Sequence, residues 1–395
     1  MPDQTGNIII VIDPGHGGES LGGNYEDRIE RDIDLITAEA MKERLEQYDN
    51  VIVYLTRENN EDRELTRKER FEFAQKVNAD FLYSIHYNMS EYHTLFGAEV
   101  WVCSSGENSA KGMTFAEIEM KELTGLGLFD RGIKCRLDKK GGEYYGILRY
   151  SQEFNIPAVI IEHCHLDEER DSAFWNNEAY REFGRIDADC AAKYFGLSST
   201  SLNVDFSTYE KHEYPVSAET LQPDSTPPGY CNAQMLDTDG LTARIRVSSA
   251  DEDDYIQYYS YSLDGGVNFS RLEAWEDRNS EFQEFDVDLN ENRSTDLVVR
   301  TFNKYDLYTD SEIVELPQAV IVIEQEDVLP DETGYTDISY NTEVPVNTEP
   351  VTDHFRLFIG SIIACLILIF LISLTVSIRQ RRKRRKRRKN KKHET

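Results

Sequence analysis

Residues 7 to 197 predict an α/β domain with a parallel-rich sheet, because short apolar runs there alternate with helical patterns. A second observation sharpens this: three of the apolar runs end on groups able to bind a metal or move a proton, as expected where parallel strands converge on a crevice at their carboxyl edge.

The runs NIIIVID from Asn7, VIVYLT from Val51, FLYSIH from Phe81, AEVWVC from Ala98 and PAVIIE from Pro157 read as strands. Ile33, Ile36, Ala40 and Met41 recur at helical spacing and predict a helix from Glu30 to Gln47. Further helices are expected over Glu69 to Val77 and Asn177 to Phe195. Residues 198 to 228 turn polar, with Pro215, Pro223, Pro227 and Pro228 as breakers, and read as a linker.

Residues 229 to 317 change character. DYIQYYSYSLDGGVNF is a strand, an Asp264-Gly265 turn and the start of another strand. RIRVSS, FQEFDVDL, DLVVRTF and SEIVEL add strand-like runs, which predicts a small all-β sandwich of the immunoglobulin or fibronectin type. Its Tyr-rich strand around Tyr255 to Tyr261 reads as ordinary strand chemistry rather than a sugar-stacking surface. Residues 318 to 354 read as an acidic stalk.

From Leu357 to Ile378 the chain is apolar without a single charge. As a helix this run covers roughly 33 Å, enough for a bilayer core of about 30 Å. Residues 355 to 378 are therefore expected to cross a membrane. Twelve of the chain's 43 basic residues follow between Arg379 and Lys392. By the positive-inside rule, the tail from 379 to 395 stays cytoplasmic and the rest of the chain lies outside the cell. An outside domain needs an export signal, and MPDQTGNIIIVID does not read as one, so the reading frame is expected to begin upstream of Met1.

Without the tail and Glu394, residues 1 to 378 hold 31 basic against 72 acidic residues, within a chain of net charge -30. Such a body repels nucleic acid and anionic surfaces, which excludes a nucleic-acid partner. The six cysteines show neither a disulfide framework nor a CxxC metal site.

NIIIVID leads into Pro14-Gly15-His16-Gly17-Gly18, FLYSIH ends on His86, and PAVIIE ends on Glu162. Glu30 opens a helical segment, where a carboxylate suits the helix dipole. Two imidazoles and one carboxylate leave zinc a fourth position for water, the arrangement of hydrolytic sites. Glu162 is the candidate for taking the water's proton and passing it to a leaving amine. Glu26, Asp27, Asp32 and Asp34 crowd around Glu30. His163 and His165 read as a wall of the cleft.

IDPGHGG, the Glu of ERDIDL, LTR, the Arg70-to-Ala74 stretch, ADFLYSIHYN, GAEVWV and PAVIIE appear in an order that resembles the type-3 N-acetylmuramoyl-L-alanine amidases over about residues 7 to 197. The resemblance implies a twisted mixed sheet flanked by helices, Zn2+ held by His16, Glu30 and His86, and Glu162 as the catalytic glutamate. It also implies hydrolysis of the amide between the lactyl group of N-acetylmuramic acid and L-alanine in peptidoglycan. The run His163-Cys164-His165-Leu166-Asp167 replaces the small, apolar and Ser-Asn residues usual after that glutamate, and Gln75 stands where Asn is usual.

Three functions compete on this basis. One is a membrane-anchored amidase. Another is an inactive peptidoglycan-binding scaffold, against which the complete ligand set argues. The third is a zinc peptidase acting on stem peptides, with the β-domain docking a protein partner.

Overall fold

The computed structural model describes residues 6–61, 63–217, 219–289 and 295–319. The predicted membrane segment, the basic tail and all but the first residues of the stalk lie outside them. Among the described residues no helix is long and apolar enough to cross a membrane.

The first half is a six-stranded mixed sheet between helices. Its elements in chain order are β1 (Ile8–Pro14), α1 (Glu30–Leu45), β2 (Val51–Leu55), α2 (Arg67–Lys76), β3 (Phe81–Asn88) and β4 (Ala98–Val102). Then come α3 (Gly106–Gly125), β5 (Asp130–Lys134), α4 (Gly146–Phe154), β6 (Ala158–His165) and α5 (Asn177–Phe195). The strand order is β2-β1-β3-β6-β4-β5. All neighbours run parallel except β6 and β4. Central strands covered on both faces need continuous apolar runs, and β1 meets that need: Ile10, Val11 and Ile12 are fully buried. Ile10 and Ile12 face one core with Phe81, Tyr83 and Phe183, while Val11 faces the other with Phe71 and Leu148.

The five predicted strands and three predicted helices are present. Three further main elements, α3, β5 and α4, were not predicted. α3 buries Asn108, Ser109, Thr114 and Glu119 alongside its apolar residues, so its face lacks a clean apolar stripe. β5 reads DRGIK, and Arg131 and Lys134 within it are buried as ions with partners of opposite charge. α4 has only nine residues.

The segment predicted as a linker is tied down. Ser198–Ser199 pairs with Val204–Asp205, Leu202 and Phe206 pack on the larger core, and the Leu221 amide donates to the Ser104 carbonyl at 2.6 Å.

Beyond it lie two antiparallel sheets. One holds β7 (Tyr230–Thr238), β8 (Thr242–Ala250) and β11 (Phe282–Asp288). The other holds β9 (Ile256–Ser262), β10 (Glu273–Ala274), β12 (Thr295–Asn303), β13 (Tyr308–Asp310) and β14 (Val314–Leu316). Ile245, Val247, Trp275, Leu297 and Val299 share one core between them. The chain after the Asp264-Gly265 turn does not return directly as a strand; the next ladder is the short β10.

Candidate active site

The carboxyl ends of β1, β3 and β6 come together, as their sequence predicts. At the end of β1 the backbone reverses through His16, which takes a left-handed conformation with φ 62°. A non-glycine residue there is uncommon and is held in place by its surroundings. Arg70 does much of that holding, donating to the His16 carbonyl at 2.9 Å and pairing with the buried Asp13 carboxylate. Asp13 also accepts from Ser84 Oγ at 3.1 Å. Arg57 donates to the Gly15 carbonyl at 2.8 Å and to the Arg31 carbonyl at 2.7 Å, which ties the turn to α1. The LTR and Arg70-to-Ala74 motifs thus form the frame of the histidine turn.

Glu30 is the first residue of α1 and is buried. Its Oε1 lies 3.1 Å from His16 Nε2 and 2.9 Å from His86 Nδ1. Its Oε2 accepts from the Gly23 amide at 2.6 Å. Burial would raise its pKa, but the two imidazoles outweigh burial and hold it far below the ordinary carboxylate range. The two rings stand edge to face, 5.2 Å between centroids. Glycine is required beside them. A Cβ on Gly22, at φ 68°, would sit 2.4 Å from Glu30 Oε2 and 2.6 Å from His16 Nε2.

His16, Glu30, His86 and Asp34 each offer a donor atom, all within 4.8 Å of one another. This is a donor set of nitrogen and carboxylate oxygen that suits zinc. Asp34 is the member that sequence reasoning treated only as one of several crowding acids. It is fully buried, and neither carboxylate oxygen has a hydrogen-bond partner among the described residues. Its spacing of four from Glu30, one helical turn on the same face, was the available signal.

Glu162 on β6 pairs in register with His86 on β3 and with Glu99 on β4. Its Oε2 is shut from water and has no hydrogen-bond partner among the described residues. Burial, then the charges of Glu30 and Glu99, push its pKa well above the ordinary range. A raised pKa favours the protonated carboxyl, the form that can donate a proton.

His163 and His165 do not line a cleft; both are fully buried. Strand alternation turns them inward. His163 Nδ1 lies 3.1 Å from the His86 carbonyl and its Nε2 3.0 Å from Asp187, so it braces the strand behind the site. His165 Nδ1 lies 3.2 Å from the Gly97 carbonyl.

The fold and this cluster define the class: an α/β protein with a histidine- and carboxylate-lined site at the carboxyl edge of its sheet. The family profile of N-acetylmuramoyl-L-alanine amidases matches residues 10–186. The chain is 30% identical over 197 residues to N-acetylmuramoyl-L-alanine amidase CwlM of Bacillus licheniformis, covering 49% of this chain and 71% of that one. It is 38% identical over 110 residues to N-acetylmuramoyl-L-alanine amidase AmiC of Escherichia coli O6:H1, covering 27% of this chain and 26% of that one. The solved catalytic domain of CwlV, an N-acetylmuramoyl-L-alanine amidase from Bacillus (Paenibacillus) polymyxa var. colistinus, covers 48% of this chain and 98% of its own, with 26% identity and a TM-score of 0.41.

The chain belongs to the N-acetylmuramoyl-L-alanine amidase family. It spans about a quarter of AmiC and about a third of the amidase LytC of Bacillus subtilis.

Proposed function

We propose that the chain hydrolyses the amide joining N-acetylmuramic acid to L-alanine in peptidoglycan, with zinc held by His16, Glu30 and His86 and with Glu162 carrying the proton. The convergence of those three donors beside Glu162 is the observation that supports this best. A zinc ion held there would supply Lewis acidity and a water of lowered pKa. Glu162, in its carboxylate form, would take a proton from the attacking water and pass it to the departing alanine amine, so that the peptide leaves with a free amino end. Glu30 stays a carboxylate throughout, because its histidine neighbours keep it ionised. The Arg57 and Arg70 frame holds the backbone of the His16 turn.

The apolar run Leu357 to Ile378 and the basic cluster after it support a single-pass membrane anchor with the catalytic domain outside the cell. An acidic body gains no attraction from an anionic wall, so the anchor accounts for retention near the substrate. The two antiparallel sheets after residue 229 resemble an immunoglobulin- or fibronectin-type sandwich.

Purified cell wall incubated with the full chain should release stem peptides beginning with L-alanine, and a chelator should stop the release. Zinc binding without product from any wall type would favour a scaffold instead. For topology, protease applied to whole cells should remove residues 1 to 354 and spare the basic tail; a protected catalytic domain would rule the anchor's orientation out.

A further inference from the structure

The β-sheet domain grips β5, the edge strand of the amidase sheet, at three places. Arg278 donates to the Asp130 carboxylate at 2.9 Å, and the Cys135 amide just past the strand donates to the Tyr305 hydroxyl at 3.4 Å. Between them, Arg131 of β5 points into the interface. Its guanidinium lies 3.0 Å from the Tyr258 hydroxyl and 2.9 Å from Asp306 Oδ2, both of the β-sheet domain. The Tyr258 hydroxyl in turn donates to the Phe96 carbonyl at 2.8 Å. Phe96, Tyr258 and Leu272 form an apolar cluster around these bonds.

Arg131 also faces the other way. Its Nε donates to Glu99 Oε2 at 3.0 Å. Glu99 is buried and further fixed by Lys134 at 2.7 Å, Asn88 at 2.8 Å and the Trp101 indole at 3.2 Å. Glu99 sits opposite Glu162 in the antiparallel β4–β6 ladder. Side chains directly opposite on one face of a ladder interact, so where Glu99 lies, and how well it is neutralised, bears on where Glu162 lies.

We propose that Tyr258 and Asp306 are positioning residues for Glu162, acting through Arg131 and Glu99, and that the β-sheet domain is a working part of the catalytic unit. This rests on the amidase reading. Arg131 is buried between two carboxylates, and removing one partner of a buried ion is strongly destabilising because the remaining charge must find another arrangement. Without Tyr258 and Asp306 the guanidinium shifts, Glu99 follows it, and the carboxylate opposite is displaced. Displacements of about 1 Å at such a group cost up to a hundredfold in rate.

The test uses the full zinc-loaded chain and reads kcat, KM and zinc per chain on a soluble muramoyl-peptide. Tyr258→Phe and Asp306→Asn should each lower kcat about ten- to hundredfold, with KM and zinc content unchanged. Arg271→Gln breaks an exposed pair between the domains, 3.1 Å from Glu169, and should change neither constant. In a Glu99→Gln background, the added loss from Asp306→Asn should vanish. If Asp306→Asn does not fold, Tyr258→Phe, which keeps the ring in its packing, decides alone. A Tyr258→Phe variant with kcat within twofold of the parent overturns the proposal, as does an undiminished Asp306→Asn effect without Glu99. Failure of the parent chain to release peptide would instead count against the amidase reading itself.

Discussion

His86 and Glu162 stand opposite one another on adjacent parallel strands, on the same rung of the β3–β6 ladder. Strand spacing of about 4.8 Å is fixed by backbone hydrogen bonds, so the sheet itself sets the distance between a candidate metal ligand and the candidate proton carrier. A site built this way on rigid strands tolerates loop variation around it.

Replacing Glu162 by Gln keeps the shape and removes the proton carrier. Turnover should fall by about 10²- to 10⁴-fold, while zinc content measured by atomic emission stays at the parent level. Parent-like turnover would mean that another group carries the proton.

Gly22→Ala tests the cradle around the ligands. The added methyl would meet Glu30 and His16 within 2.6 Å, at a backbone φ of 68° that L side chains rarely adopt. Zinc affinity should drop at least about tenfold, the scale seen when groups orienting metal ligands are disturbed. Equilibrium dialysis gives the number, and an unchanged affinity would show that the ligands are arranged differently.

Zinc binding should also stabilise the fold. His16, Glu30 and His86 come from three separate elements, so an ion joining them binds the folded chain selectively. At a hundredfold excess over Kd it should add about 2.7 kcal/mol, read as a rise in Tm that Glu30→Gln largely abolishes. A metal-independent Tm would contradict the ligand set.

Glu99 makes stability depend on pH. Burial would raise its pKa, but Lys134 and Arg131 outweigh burial and hold it far below its ordinary 4.5. A depressed carboxylate contributes stability that is present above its unfolded value and lost as pH falls below it. Denaturant midpoints should therefore drop on acidification past about pH 4.5. Glu99→Gln, which breaks a buried ion cluster, should cost about 3–5 kcal/mol at pH 7 and flatten that acid decline. An equally steep decline in the variant would place the acid sensitivity elsewhere.

The candidate site was legible in the sequence because its residues sit at the ends of apolar strands, where burial pattern and chemistry change together. His16, His86 and Glu162 carry that signal. Asp34 does not, since a buried acid inside a helix looks like any charged helix start until the fold covers it. Arg131 and Lys134 hide β5 in the same way. DRGIK holds no apolar run, and only the pairing of its two cations with Glu99 and Asp306 explains a charged strand in a core. His163 and His165 were assigned to a cleft wall because alternation along β6 gives two faces, and nothing local tells which face is the core. The link between the two domains was illegible for the same reason: its residues are 127 and 175 positions from Arg131.

One measurement bears most directly on the central claim. A soluble muramoyl-tripeptide is incubated with the zinc-loaded chain in ¹⁸O-labelled water, and the products are identified by mass. Amide hydrolysis at the sugar places the label in the lactyl carboxylate and frees a peptide with an L-alanine amino terminus. Label in a peptide carboxylate, with alanine still attached to the sugar, would contradict the account and make the chain a peptidase.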